Sequence, residues 1–254
     1  MLRPRVIPCL LVQGSGLVKT RQFKDPKYVG DPNNAIRIFN DKAADELIVL
    51  DIEASRFRRG PNFEMISQFA DECYMPVCYG GGITTVDDAS RIFELGVEKV
   101  SIQTAALSDY NLISAISSRY GSQSVMVSVD VKRSRLGGDR LYASAQQKAI
   151  KPSWQEWMVG AVEAGAGEVL LTAVDREGTL SGLDLELISS AARSVPVPLI
   201  ANGGVGSLDD IVAAFDAGAS AVAAGAFFVF QGPHRAVLIT YLDDPSFATL
   251  KARK

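Results

Sequence analysis

The chain alternates between short apolar runs and longer amphipathic segments along most of its length. The apolar runs lack the period-two pattern of half-exposed strands, which indicates strands buried on both faces of a parallel sheet that helices cover. Eight strands are predicted, at residues 6–12, 47–52, 76–79, 99–102, 124–131, 168–172, 198–201 and 219–223. Eight helices are predicted to follow them, at residues 32–43, 62–73, 86–95, 111–119, 153–164, 185–192, 208–217 and 233–242.

Three pairs of segments repeat at an offset of about 120 residues. The pairs are 7–12 (IPCLLV) with 127–131 (VSVDV), 79–83 (YGGGI) with 201–205 (ANGGV), and 97–105 (VEKVSIQTA) with 219–227 (ASAVAAGAF). Chance could explain one pair between buried strands, but three in one register indicate duplication. Eight βα units in 254 residues also fit a closed barrel better than two doubly wound domains. We therefore predict an α/β fold, a single (β/α)8 TIM barrel over residues 1–254, with half-barrels at about 1–122 and 123–242.

Composition restricts the classes of function. The chain has 26 Lys and Arg against 29 Asp and Glu, a formal net charge of −3, which gives no reason to expect a nucleic-acid partner. Its three cysteines form no metal-binding pattern with each other or with His234, so we expect no metal site and a reducing cytoplasm. No apolar run is long enough for a signal peptide or a membrane span. His234 is expected at the start of the last helix, without a catalytic role.

In this class of barrel the active site lies at the carboxyl ends of the strands. Asp130 ends the fifth strand among valines, where burial would raise the pKa of its carboxyl group and suit it to general acid or base chemistry. The alternative is an aspartate that caps its own loop. Leu11 occupies the equivalent position of the first strand and cannot transfer a proton. Lys19, predicted in the loop after that strand, could point over the barrel mouth or remain solvated. Other polar residues expected at the mouth are Asp51, Thr172 and Asp175.

Glycine clusters follow two strands at equivalent places in the two halves. Gly80-Gly81-Gly82 follow the third strand, and Gly203-Gly204 follow the seventh. Missing side chains there let backbone N–H groups approach an anion at a helix N-terminus. Two such sites facing each other suggest an elongated substrate with a phosphate at each end. The alternative is a pair of tight turns that require positive φ.

Charged residues begin four of the predicted strands. They are Arg5, Glu46, Lys99 and Glu168, at strands one, two, four and six, and their alternating signs suggest a ring of ion pairs around the barrel axis. Such a ring could serve only to plug the barrel floor. Near the opposite end, Gly137-Gly138-Asp139 predicts a hairpin turn within an insertion at residues 133–150, a candidate lid or partner surface.

Together these motifs resemble the cyclase subunit of imidazole glycerol phosphate synthase. The matching segments are RVIPCL at 5–10, DELIVLDI at 45–52, YGGGI at 79–83, VEKVSI at 97–102, VSVDVKR at 127–133, GAGEVLLT at 165–172, DREGT at 175–179 and ANGGVG at 201–206. The resemblance implies a two-phosphate, ribonucleotide-derived substrate and no metal or organic cofactor. It also implies that a glutaminase subunit docks at the N-terminal face of the strands, which Arg5, Glu98 and Lys99 mark. By the same resemblance, the ring acts as a gate for ammonia that crosses the barrel. Phosphate binding is assigned to Gly81, Gly82, Gln103, Thr104, Gly178, Gly203, Gly204, Gly225 and Ala226.

The sequence departs from that family at the end that carries the chemistry. The family uses two aspartates, at the ends of strands one and five, whereas this chain has Leu11 and Asp130 at those positions. Further departures are Gln103 for Asn, Glu177 in a DRDGT-type motif, and Asn202 and Ala226 where small hydroxyl residues are usual. The pattern resembles a paralogous branch, the acetamidino-modification proteins of bacterial surface-polysaccharide pathways, as do IPCLLV at 7–12 and GPHRAVLI at 232–239.

Three functions follow as hypotheses. In the first, the barrel conducts ammonia to a third protein that converts the N-acetyl group of a sugar into an acetamidino group. In the second, the chain is an authentic histidine-pathway cyclase in which Asp51, Lys19 or Asp175 replaces the missing aspartate. In the third, it is a scaffold that only activates the glutaminase, against which the retained phosphate-site glycines argue.

Overall fold

The computed structural model describes residues 4–134 and 137–252. Its strands, in chain order, are β1 (Arg5–Gln13), β2 (Gly16–Arg21), β3 (Lys24–Gly30), β4 (Leu47–Asp51), β5 (Val77–Gly80), β6 (Lys99–Ile102), β7 (Val125–Arg133), β8 (Asp139–Ala143), β9 (Lys148–Ala149), β10 (Glu168–Ala173), β11 (Leu199–Asn202), β12 (Ala221–Ala224), β13 (Phe230–Gln231) and β14 (Ala236–Val237). Its helices are α1 (Pro32–Asp41), α2 (Phe63–Glu72), α3 (Val86–Glu94), α4 (Asn111–Tyr120), α5 (Trp154–Glu163), α6 (Leu185–Ala192), α7 (Leu208–Asp216), α8 (Ala226–Val229) and α9 (Asp244–Ala252).

Eight of these strands close into a parallel barrel. β1 pairs with β4, and the sheet continues through β5, β6, β7, β10, β11 and β12 back to β1. The pairings of β6 with β7 and of β12 with β1 join the two halves of the chain, and within the second half Asp130 of β7 lies beside Thr172 of β10. A helix follows each barrel strand, as continuous burial of the strands requires. The predicted (β/α)8 barrel is confirmed, and each of its eight predicted strands overlaps an observed one.

The half-barrel repeat is visible in the helix starts. In α3, Thr85 accepts a hydrogen bond from the backbone N–H of Asp88, whose carboxylate bonds back to the Thr85 N–H. In α7, Ser207 and Asp210 form the same capping box. Each box provides acceptors for two N–H groups that the helix leaves unpaired. The two boxes are separated by the same interval as the repeated sequences, so both halves begin this helix in one way.

Two antiparallel extensions stand on the carboxyl ends of β1 and β7. β1 continues into the hairpin β2–β3, which the sequence did not predict, so that Lys19 lies on strand β2 and not in a loop. β7 continues into β8 and β9, which confirms the hairpin predicted from Gly137-Gly138-Asp139. Residues 135 and 136 of this insertion lie outside the described residues. Each half-barrel therefore carries a hairpin at the same place.

The helix predicted at residues 233–242 is wrong. Gly232 and Arg235 have φ values of 69° and 50°, which turn the chain out of a right-handed helix. The backbone N–H groups of Leu238 and Thr240 then donate to carbonyl groups of the preceding helix, which holds the segment extended. Its β-branched residues also suit an extended chain. The short α8 takes the eighth helical position, and His234 lies exposed in the turn instead of at a helix start.

The apolar core has two layers. The larger layer lies between the strands and the surrounding helices. The smaller layer fills the barrel interior and consists of Ile7, Cys9, Ile48, Cys78, Met126, Leu170, Ile200, Ala221 and Ala223, with Leu11 and Leu50 packed against it. Within the described residues, none of the helices is long and apolar enough to cross a membrane.

Candidate functional site

A cavity of about 550 Å³ opens at the carboxyl ends of the barrel strands. Its polar lining includes Lys19, Thr20, Asp51, Gln103, Thr104, Asp130, Ser144, Thr172, Glu177 and Asn202. The cavity descends as far as Cys9 and Leu170 in the interior layer. Its volume lies in the range of small-molecule sites. The structure therefore brings most of the candidate site residues to one cavity, at the end of the barrel where they were expected.

Asp130 lies buried at the end of β7. Gln103 Nε2 donates to Asp130 Oδ2 at 2.8 Å, and Gln103 Oε1 accepts the backbone N–H and the hydroxyl of Ser144 at 3.1 and 2.5 Å. Burial raises the pKa of Asp130 to about 6, while hydrogen bonds from Ser144, Gln103 and Thr172 limit that rise. Side chains from several elements thus hold a carboxyl group that changes protonation near neutral pH, as general acid or base chemistry requires.

Buried Lys19 and half-buried Glu177 are two further titratable groups that line the same cavity. Lys19 is 3% exposed, and its ammonium group donates to the carbonyl of Cys9 and packs against Gly225. Glu177 Oε2 accepts the Thr20 hydroxyl at 2.9 Å. Burial lowers the pKa of Lys19 and raises the pKa of Glu177, and the charge of each opposes the shift of the other. The solvated alternative for Lys19 is therefore wrong.

Two carboxylates expected at the mouth accept hydrogen bonds from backbone N–H groups of nearby loops and strands. Asp51 Oδ1 accepts the backbone N–H groups of the second and third residues after it, at 2.9 and 3.0 Å, and so caps its own loop while still lining the cavity. Asp175 Oδ2 accepts the backbone N–H of Arg133 at 2.8 Å, and among the described residues Asp175 is absent from the cavity lining. Glu177, two residues later, faces the cavity instead. Sequence reasoning noted Glu177 only as a departure from a motif, because the Thr20 hairpin that holds it was not predicted.

The glycine turns are required by the backbone itself. Gly81 and Gly203 have φ values of 126° and 94°, and a Cβ at either would press on the backbone carbonyl of a neighbouring strand end. The backbone N–H of Gly82 donates to the Ser55 hydroxyl at 3.1 Å. The hollow formed by Gly178, Gly203, Gly204, Gly225 and Ala226 has a volume of about 20 Å³, room for one water molecule. The tight-turn alternative thus explains these glycines in this conformation, and phosphate binding stays a prediction.

The four residues at the strand starts form a closed ring of ion pairs, here called the charged ring. Arg5 contacts Glu46 and Glu168 at 2.5 and 2.8 Å, and Lys99 contacts the same two carboxylates at 2.9 and 2.8 Å. Although burial opposes both cations, hydrogen bonds and charges of the two glutamates raise the pKa of Arg5 and of Lys99. Each member has two partners of opposite sign, so the predicted ring geometry is confirmed.

The charged ring and the cavity lie at opposite ends of the apolar interior layer. On β1, Arg5 is in the charged ring, Ile7 and Cys9 are in the interior layer, and Leu11 lines the cavity. Leu11 is half-buried and pairs in register with Leu50 of β4. The side chains of β1 therefore extend from the charged ring, through the apolar interior layer, to the cavity at the barrel mouth.

A family model described as "Histidine biosynthesis protein" matches residues 5–233. The chain belongs to this family. It is 54% identical over 244 residues to "Putative imidazole glycerol phosphate synthase subunit hisF2" of Pseudomonas aeruginosa, covering 96% of this chain and 97% of the relative. It is 46% identical over 245 residues to "Putative imidazole glycerol phosphate synthase subunit HisF" of Leptospira borgpetersenii, covering 95% and 96%. It is 38% identical over 230 residues to "Imidazole glycerol phosphate synthase subunit HisF" of Dictyoglomus thermophilum, covering 91% of each.

Membership of the histidine biosynthesis family confirms the resemblance inferred from the motifs. The protein is an imidazole glycerol phosphate synthase cyclase-like subunit, with nearly its whole length aligned to such subunits. In this family member the charged ring is complete, whereas the mouth has a leucine pair, Leu11 and Leu50, on the side where a second acid–base residue was expected.

Proposed function

We propose that this protein is the ammonia-conducting synthase subunit of a glutamine amidotransferase complex. A glutaminase docks at the N-terminal face of the strands, around Arg5, Glu98 and Lys99, and its ammonia crosses the barrel to the mouth. The charged ring carries this proposal, because it closes one end of an apolar interior whose other end opens into the cavity. Neutral ammonia enters such an interior at far lower cost than ammonium or a larger polar molecule.

The ammonia then serves acetamidino modification of a surface-polysaccharide sugar. A third protein at the mouth replaces the carbonyl oxygen of an N-acetyl group by the ammonia nitrogen, and the oxygen leaves as water. Leu11 supports this step, since loss of one acid–base group lowers the rate of ring closure by about 10²–10⁴-fold. The glycine turns and Thr104 bind a phosphorylated ligand, and the Lys19 ammonium lies beside Gly225 of this site.

The first test compares the protein with its Leu11→Asp variant. Loss of the two-phosphate histidine-pathway substrate is followed with ammonium salt at alkaline pH, where free ammonia is abundant. We expect no measurable turnover by the protein and a clear gain by Leu11→Asp, because the variant places a carboxylate at a half-buried position that lines the cavity. Formation of imidazole glycerol phosphate by the unaltered protein at an ordinary enzymatic rate would overturn the acetamidino assignment.

One observation favours a second candidate, the authentic histidine-pathway cyclase. Glu177 lines the same cavity as Asp130 and is held by Thr20, so the mouth contains a second, half-buried carboxyl group despite Leu11. In this candidate Glu177 does the work of the missing aspartate. The gene would then complement a strain lacking the cyclase, and Glu177→Gln would abolish that growth. Failure of the unaltered gene to complement, with the protein expressed and folded, rejects this candidate.

A further inference from the structure

The hairpin made by β7, β8 and β9 carries a groove lined by cations, here called the cationic groove. Its volume is about 510 Å³, and its lining includes Lys132, Arg133, Arg140, Lys148 and Lys151. Among the described residues, no carboxylate contributes to that lining. The whole chain has a net charge of −3, so the composition does not account for five cations around one hollow. The cationic groove is a local concentration of positive charge on an acidic protein.

The strand register places two of these cations face to face. Lys132 of β7 lies directly opposite Arg140 of β8, and like charges at paired positions of an antiparallel ladder destabilise it. The Lys132 ammonium lies 5.1 Å from the centre of the Tyr142 ring, which offsets part of this repulsion. Arg133 has Asp139 at 3.8 Å as a partner. An anionic group bound in the cationic groove would lie against both Lys132 and Arg140 and remove their repulsion.

The chemistry of the lining selects the kind of anion. Sequence-tolerant nucleic-acid sites stack bases on exposed aromatic side chains, and the described lining of the cationic groove contains none. Phosphate sites in loops use glycine turns with convergent N–H groups, whereas this lining comes from a strand ribbon with long, flexible cations. Several separated carboxylates on a protein surface match that arrangement.

The position of the hairpin connects the cationic groove to the mouth. The same hairpin contributes Ser144, Ala145 and Gln147 to the lining of the large cavity. A protein bound in the cationic groove is therefore adjacent to the opening through which ammonia would leave. The glutaminase, at the opposite end of the barrel, would not meet this surface.

We propose that the cationic groove docks an acidic surface segment of the protein that receives ammonia at the barrel mouth. The identity of that partner rests on the proposed function, whereas the affinity of the cationic groove for clustered carboxylates does not. The two are therefore tested separately.

The test measures binding of a fluorescein-labelled octaglutamate peptide to the full-length protein by fluorescence anisotropy. In Lys132→Gln/Arg140→Gln, which removes the facing cations, we expect affinity to fall at least about tenfold and the thermal midpoint not to decrease. The matched control is Lys42→Gln/Lys251→Gln, which removes two exposed cations away from the hairpin and lowers the net charge equally. We expect the control to bind the peptide like the unaltered protein.

Equal weakening in the two double variants would overturn the proposal, because binding would then depend only on net charge. Tighter binding of a single-stranded octanucleotide than of octaglutamate would overturn it in favour of a nucleic-acid site. Failure of the acetamidino assignment in the Leu11→Asp experiment, with peptide binding still lost in Lys132→Gln/Arg140→Gln, removes only the identity of the partner. The two failures are thus distinguishable.

Discussion

The two ends of the barrel both bury charged groups, but they stabilise them in different ways. In the charged ring every charge contacts two opposite charges, and the pKa values of Arg5 and Lys99 are raised. At the mouth, hydroxyl, amide and carbonyl groups surround Asp130, Lys19 and Glu177, and burial shifts all three pKa values toward the neutral form. Arg5 and Lys99 therefore keep their charges over the working pH range, while Asp130 at the mouth changes protonation near pH 6.

This difference separates two tasks along one axis. In the proposed function, fixed charges at the ring exclude ions from the apolar interior and give the glutaminase a defined electrostatic surface. Titratable groups at the mouth can transfer protons only because they lack a full set of opposite charges. An end rich in ion pairs suits gating and docking, and an end rich in partly compensated groups suits chemistry or ligand binding.

The largest effect is expected from breaking the charged ring. In Glu168→Gln, two half-buried cations share the single buried carboxylate of Glu46, so we expect the free energy of unfolding to fall by about 3 kcal/mol. Urea denaturation at pH 7 measures the change. Glu72→Gln is the control, because the pair of Glu72 with Arg37 lies at the surface and its loss should not be detectable. Equal effects of the two variants would show that the ring is no more stabilising than a surface pair.

The next effect concerns the pH dependence of stability at the mouth. The pKa of Asp130 rises from 3.8 to about 6 on folding, so the folded protein binds more protons than the unfolded chain between these values. Its free energy of unfolding should therefore fall as pH rises through this window, by about 3 kcal/mol in total, with the full loss present above pH 6. Asp130→Asn should lack this decrease.

Urea denaturation between pH 3.5 and about 7 measures this difference between the two proteins. Asp216→Asn, a replacement on an exposed helical surface, provides the baseline for a neutralised aspartate. If the unaltered protein and Asp130→Asn differ by a constant amount over the whole range, Asp130 is not the group that titrates.

The barrel itself was accessible from sequence because buried parallel strands leave a continuous apolar signal and the repeat fixes their number. The structure of residues 233–242 could not be predicted, because an apolar segment with helical spacing is equally compatible with an extended chain. The positive φ at Arg235 is what excludes the helix. The hairpin β2–β3 was missed because most side chains of β3 are exposed and carry no burial pattern. Local sequence patterns thus predicted the secondary structure wherever the strand residues are continuously buried.

The candidate site likewise has a part that the sequence predicted and a part that it did not. The charged ring was predicted from strand starts, since residues in the same layer of a barrel must meet around its axis. The state of Lys19 and the role of Glu177 depend on a hairpin packed across the mouth by contacts about 157 residues apart in sequence, such as Thr20 with Glu177. No local pattern specifies contacts of that range, so sequence placed the residues near the mouth without showing which of them face the cavity.

The smallest effect is expected at that contact. Thr20→Val keeps the branched shape in β2 but removes the hydroxyl that donates to Glu177, so we expect the free energy of unfolding at neutral pH to fall by about 1–2 kcal/mol. Thr20→Ser, which keeps the hydroxyl, is the matched control. Because the bond favours the ionised carboxylate, its loss raises the pKa of Glu177 further, and the deficit should shrink at acid pH as Glu177 is protonated in both proteins. A deficit independent of pH would assign Thr20 to packing alone.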